Sequence, residues 1–219
     1  SERSIDLIDQ TLLPQVTEIF RCATVERLID AIDRLVVRGA PALGATGALG
    51  VALAMVEGER EGWAEDRLQE RVDAVRNARP TAVNLAWGVD RVRPLMTDGV
   101  EAVLAASFVL MAEDEAANRA LSALGADWIL AHVDRRPIRA LTHCNTGSLA
   151  TTAWGTALGI IRELHARGVL EIVYADETRP LLQGSRLTAW ELQHDGIPYL
   201  LQADGAAAST ILRGLVDVA

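Results

Sequence analysis

The segment Leu141-Thr-His-Cys144-Asn-Thr-Gly147 lies where a short apolar run gives way to a helical one, and Cys144 is its reactive group. Open α/β sheets bind ligands in the crevice at such strand-to-helix crossings. A thiol placed there faces the positive end of the following helix, which favours the thiolate. The plainer alternative is an inert thiol in a core, since free cysteine is among the most buried residue types. Cys22 lies near a polar segment between elements and lacks this setting. His143 is adjacent in sequence, but neighbours on an extended strand point to opposite faces, which argues against a Cys144–His143 dyad.

Two further segments have the chemistry of anion binding. Arg38-Gly39-Ala40-Pro41 separates two helical patterns, with Pro41 suited to a helix start, so free backbone amides and a guanidinium converge. Arg79-Pro80-Thr81-Ala-Val-Asn84 repeats the arrangement, with an amide side chain one turn into the helix. Both could bind a phosphate or two ends of a phosphosugar; either could equally be a helix corner with a solvated Arg. Asp176-Glu-Thr-Arg179 follows the second apolar run, where an acidic side chain can take sugar hydroxyls. Gln183-Gly184 opens another loop-to-helix crossing on the same crevice. Ion pairs from Arg179 or Arg186 to Asp176, Glu177 or Glu191 are the structural alternative there.

The elements that must position these groups fall into two patterns. Residues 5–20 read as short extended segments joined by a turn. Thr24 can cap a helix whose apolar positions, Val25, Leu28, Ile29, Ile32, Leu35 and Val36, recur at three- and four-residue spacing until Gly39 and Pro41 end it. A helix over 41–57 carries Gly44, Gly47 and Gly50 at every third position, a face that permits close backbone approach. Further helices are expected over 66–77, 82–92 and 100–133, with Gly125 the candidate break in the last. From residue 135 the pattern becomes apolar runs at 138–142, 171–175, 198–202 and 216–219 alternating with helices, the rhythm of a parallel doubly wound sheet. The expectation is an α/β protein with a mostly helical N-terminal domain, 1–134, and a parallel-sheet domain, 135–219. That sheet is expected to be incomplete, because no helix follows the fourth run to cover it.

Composition excludes several classes. Of 219 residues half are hydrophobic, ample for real cores, and the formal charge of −9 with no basic stripe argues against a nucleic-acid partner. All 21 cations are Arg, so a Lys Schiff base or a P-loop Lys is impossible within these residues. No Gly-x-Gly-x-x-Gly follows the first strand of the sheet region, which disfavours nicotinamide and flavin cofactors. His132, His165 and His194 have no metal-ligand spacing, and the Trp residues read as packing rather than a base-stacking platform. Two distant cysteines make no disulfide framework, and the N-terminal residues have no signal-peptide pattern, so a reducing cytoplasm and no membrane partner are expected.

Four segments in order, Arg38-Gly-Ala-Pro-Ala, Arg79-Pro-Thr-Ala-Val-Asn-Leu, Thr142-His-Cys-Asn-Thr-Gly and the stretch 174–192, resemble the methylthioribose-1-phosphate isomerase family. That family sits in the superfamily of the regulatory subunits of translation initiation factor 2B. The likeness runs from Leu7 to the last residue. It implies a Rossmann-like C-terminal domain, a homodimer, a phosphosugar substrate, and no metal or dinucleotide cofactor. Residue by residue it implies substrate binding by Arg38, Gly39, Ala40, Arg79 and Gln183, and Cys144 in the active site. The implied reaction converts 5-methylthioribose 1-phosphate to 5-methylthioribulose 1-phosphate, by an enolate or by a hydride shift. The family's second catalytic group, an Asp in Gly-Ala-Asp-Arg-Ile, would align just after Ala219, so the residues given are expected to lack it. Two relatives of that reading are a ribose 1,5-bisphosphate type isomerase and a noncatalytic regulatory subunit.

Overall fold

The computed structural model describes residues 3–219 and divides into two compact units, Ser1–Asp114 and Glu115–Ala219. The division falls within one long helix, ahead of the change in rhythm at residue 135.

In the first unit a two-stranded antiparallel ribbon, β1 (Ile5–Ile8) with β2 (Ile19–Cys22), precedes α1 (Val25–Asp33), α2 (Ala40–Glu61), α3 (Glu65–Asn77) and α4 (Val83–Val92). Thr24 caps α1 as expected, its side chain accepting the Arg27 N–H at 3.3 Å. The buried carboxylate of Glu57 takes a further orphan amide, that of Val25, at 2.7 Å. The helix stops earlier than its apolar spacing suggests. Leu35 adopts φ 64° and the amides of Leu35 and Val36 return to the carbonyls of Ile32 and Ala31, so a Schellman turn ends α1 without a glycine. Gly39 instead begins α2, at φ 100°.

The glycine stripe of α2 does what its spacing predicts. A Cβ on Gly47 would lie 2.5 Å from the Leu85 carbonyl oxygen, and one on Gly88 would overlap the backbone of Gly44, so α2 and α4 cross backbone to backbone. α2 has the length and apolarity of a membrane span, but 72% of its most apolar window is buried within the protein, as for a core helix. Leu28, Ile32, Val51, Val75, Leu85 and Val89 belong to the core it runs through.

α5 (Val100–His132) is continuous through Gly125. That glycine is explained by packing, since a Cβ there would stand 2.6 Å from Ile160 on α6 (Ala157–Ala166). The second unit carries a parallel sheet, β3 (Ile138–Thr142), β4 (Leu170–Asp176) and β5 (Tyr199–Gln202), in the order β3-β4-β5. The strands come within about a residue of their sequence positions because each is a short apolar run between helices; β3 and the end of β4 are buried, whereas Leu200 and Leu201 of β5 are exposed. The fourth run, 216–219, forms only a parallel bridge, Val218 to Ala140, on the free edge of β3. The order is therefore fourth run, β3, β4, β5, and the chain reverses direction of progress between the fourth run and β3. α7 (Ala189–His194) and α8 (Ala207–Leu212) complete the unit, with α6 and α7 packing Leu158, Ile161 and Leu192 against Val173 and Ala175.

Candidate active site

Each strand of the parallel sheet is followed, two residues past its last position, by a side chain of the crevice: Cys144 after β3, Thr178 after β4 and Asp204 after β5. Hydrogen bonds link them in series. The Cys144 N–H donates to Thr178 Oγ1 at 2.7 Å, and the Thr178 N–H donates to Asp204 Oδ1 at 2.7 Å. Cys144 and Thr178 both hold left-handed backbones, φ 63° and 62°, and Leu182 follows at 59°. Such conformations persist in non-glycine residues only where the surroundings over-determine them, and they gather at functional sites. Because β3 borders the reversal of strand order, Cys144 stands at the switch point where open α/β sheets bind ligands.

The Cys144 loop is pinned from below by α7. Glu191, 1% exposed, accepts from Asn145 Nδ2 at 2.8 Å, from both the backbone N–H and the hydroxyl of Ser148 at 2.7 Å, and from Arg162 at 2.8 Å. Gly147 is required here, since a Cβ would overlap the Glu191 carboxylate. The Thr188 hydroxyl donates to the Cys144 carbonyl at 2.6 Å. Both backbone groups of Cys144 are thus held, and its half-buried thiol is left to the crevice. The helix anticipated immediately after Cys144 is a single 3-10 turn, Ser148–Ala150, and α6 begins only at Ala157.

Gln183 precedes a π-helical turn, Gly184–Thr188, that runs into α7. π-turns inside helices recur at functional sites. Gly184 packs on the Asp176 carbonyl so tightly that no Cβ fits, which brings Gln183 to the end of β4, and Thr188 of the same turn is the residue bonded to Cys144. Glu191 pairs with Arg162, a partner that sequence spacing did not suggest.

On the other side of Thr178, Asp176 is buried, and its carboxylate accepts from Gln202 Nε2 at 2.7 Å and meets His143 Nδ1 at 3.0 Å. The Thr210 hydroxyl in turn donates to Gln202 Oε1 at 2.7 Å. The backbone N–H groups of Arg179 and Thr178, with the charges of His143 and Arg179, hold the Asp204 carboxyl below the usual carboxylate range. One donor atom each from His143, Asp176 and Asp204 lies within 4.8 Å of the others, the group best placed to hold a cation. Both oxygens of each carboxylate are engaged by hydrogen bonds inside the fold.

In the first unit the starts of α2 and α4 come together, although neither Arg38 nor Arg79 lines the cavity between them. Pro41, at the start of α2, and Asn84, at the start of α4, line one cavity of about 260 Å³ together with Trp87, Arg91, Leu110, Glu113 and Asp114. Arg91 lies over the Trp87 ring, 5.4 Å from its centroid. Arg38, Gly39 and Arg79 sit at the same two helix starts, half-buried, with Ala40 exposed. The predicted binding residues thus divide between the units: Arg38, Gly39, Ala40 and Arg79 in the first, Cys144 and Gln183 in the second.

Fold and crevice together define an α/β protein with a cysteine in left-handed backbone at a parallel-sheet switch point, and the chain belongs to the Initiation factor 2 subunit family, whose profile matches residues 36–219. A Nocardia farcinica protein described as a probable bifunctional methylthioribose-1-phosphate isomerase/methylthioribulose-1-phosphate dehydratase is 50% identical over 96% of this chain and 38% of its own length. The crystal structure of 5-methylthioribose 1-phosphate isomerase from Pyrococcus horikoshii OT3 superposes with a TM-score of 0.85 at 34% identity, over 100% of this chain and 63% of that one. A structure titled translation initiation factor eIF-2B, subunit delta, from A. fulgidus superposes at 0.82 and 43% identity, over 97% and 64%. The chain spans less than two thirds of the length of these relatives.

Proposed function

We propose that the protein carrying this chain is a cytoplasmic, homodimeric aldose–ketose isomerase that converts 5-methylthioribose 1-phosphate to 5-methylthioribulose 1-phosphate, a step of methionine salvage. The observation that carries this reading is Cys144, fixed at φ 63° with both backbone groups bonded at the switch point of the parallel sheet. The named isomerases among the relatives support the choice of substrate. In this reading Arg38, the Gly39 and Ala40 amides at the start of α2, and Arg79 are phosphosugar-binding groups of the first unit, and Gln183, at the end of β4, is one of the second. Guanidinium groups and free helix-start amides suit a phosphate, which needs charge and several donors.

The substrate is blocked at C1 as a glycosyl phosphate, so the ring must open before hydrogen moves between C2 and C1. The redox change is internal to the sugar, one carbon being oxidised as its neighbour is reduced, and the reaction needs no external oxidant or dinucleotide. The reading is tested by incubating the full-length gene product with 5-methylthioribose 1-phosphate and following ketose formation by proton NMR. Conversion to the ketose phosphate is the expected result. Binding without turnover would favour a regulatory subunit, and preference for ribose 1,5-bisphosphate would move the substrate to a second phosphosugar.

A further inference from the structure

We infer that Asp176 and His143 form a proton-transfer dyad of the crevice, with Asp176 orienting the imidazole and His143 Nε2 exchanging protons with the substrate's oxygens. This rests on the isomerase reading above. The geometry comes from Asp176, a buried carboxylate whose Oδ2 lies 3.0 Å from His143 Nδ1. A carboxylate is an acceptor only, so the proton shared between them belongs to Nδ1. The carboxylate is itself held, Gln202 Nε2 donating to Oδ1 at 2.7 Å and Thr210 fixing Gln202. His143 is the exposed member, with 56% of its side-chain surface accessible, and its Nε2 makes no hydrogen bond among the described residues. A base oriented by a buried third group, with its second nitrogen turned to the ligand, is the arrangement general acid–base catalysis requires.

Strand neighbours point apart, which weighs against a Cys144–His143 pair and leaves His143 free to serve on its own. His143 and Cys144 both follow the last residue of β3, and Cys144 turns into a left-handed backbone at φ 63°. In the step assigned to it, the imidazolium donates its Nε2 proton to the ring oxygen as the C1–O bond breaks. The neutral imidazole, still giving Nδ1–H to Asp176, next takes the proton of the C2 hydroxyl as that carbon becomes the carbonyl. An N–H bond is broken and remade, the substrate gains and loses one oxygen-bound proton, and the hydrogen leaving C2 arrives at C1. One carboxylate oxygen each of Asp176 and Asp204 lies within 4.8 Å of a ring nitrogen of His143.

The test uses the full-length gene product with 5-methylthioribose 1-phosphate. His143→Ala should lower kcat about 10²- to 10⁴-fold with KM within about threefold of wild type, and added imidazole should restore part of the loss. Asp176→Asn should lower kcat in the same range and shift the neutral imidazole to the Nε2–H form, read by nitrogen-15 NMR of the substrate-free protein. In the wild type that spectrum should give the Nδ1–H form. A His143→Ala enzyme with wild-type kcat, a loss that imidazole leaves unrestored, or a wild-type imidazole protonated on Nε2 would overturn the dyad. Failure of the isomerase reading looks different, as a wild type inert towards the phosphosugar that still shows the Nδ1–H imidazole.

Discussion

Cys22 and Cys144 carry the same thiol into opposite settings. Cys22 closes β2 with no exposed surface, and burial pushes its thiol up to about 11. Cys144 ends no regular element; its backbone is held in a left-handed turn while its side chain remains half-open to the crevice. The first is packed as a small hydrophobe, one member of the helical core with Val25, Leu28 and Ile32. The second is surrounded by polar groups whose hydrogen bonds serve the loop: Thr178, Thr188, Asn145 and Ser148, all ultimately fixed by Asp176 or Glu191. The two thiols are thus distinguished by what restrains the backbone as much as by exposure.

The strongest way to sharpen the contrast is to remove each thiol. Cys144→Ala in the full-length gene product is expected to lower isomerase kcat by at least about 10²-fold with an unchanged thermal midpoint, whereas Cys22→Ser leaves kcat intact. The latter should destabilise the fold by roughly 1–3 kcal/mol, because it buries a hydroxyl among apolar neighbours; thermal melts and steady-state kinetics on both variants separate the two outcomes. Next in size is Glu191→Gln. It leaves Arg162 without its buried carboxylate partner and is expected to cost about 3 kcal/mol in a denaturant titration. Turnover should fall along with stability, since the Cys144 loop loses its anchor.

Smaller effects come with pH. Cys22 has a raised folded value, so the stability it contributes is complete below the unfolded thiol value of ~8.5 and is lost progressively as pH rises towards about 11. Asp204 has a depressed one, so its contribution is present above ~3.9 and lost as pH falls through its lower folded value. Cys22→Ala should flatten the alkaline limb of a stability profile and leave the acid limb alone, whereas Asp204→Asn should do the reverse.

The two cysteines also mark what the sequence discloses. The period of apolar residues places α1 to α5 and β3 to β5 because burial of one face is a local property of the chain, and of the Gly44, Gly47, Gly50 stripe the first two announce the close crossing with α4, while Gly50 packs on Val75 and Leu28. The end of α1 at Leu35 was not legible, because a Schellman turn built on a leucine carries no glycine signal. At the site, Cys144 and Gln183 could be named from their place at strand and helix ends. The groups that restrain them, Thr178, Glu191 with Arg162, and the Gln202–Asp176–His143 chain, are brought together from separate strands and helices, and spacing along one chain does not encode that pairing. The sequence places Cys22 between elements, whereas it is the buried last residue of β2, since a four-residue strand offers too short a period to recognise.

Mass-spectrometric mapping of thiols alkylated at neutral pH in the native full-length protein decides whether Cys144 is the reactive group of a phosphosugar crevice. Iodoacetamide should modify Cys144 and spare Cys22, 5-methylthioribose 1-phosphate should protect Cys144, and denaturation should expose both. Equal labelling of the two thiols, or labelling of Cys144 that saturating phosphosugar leaves unchanged, would contradict the account.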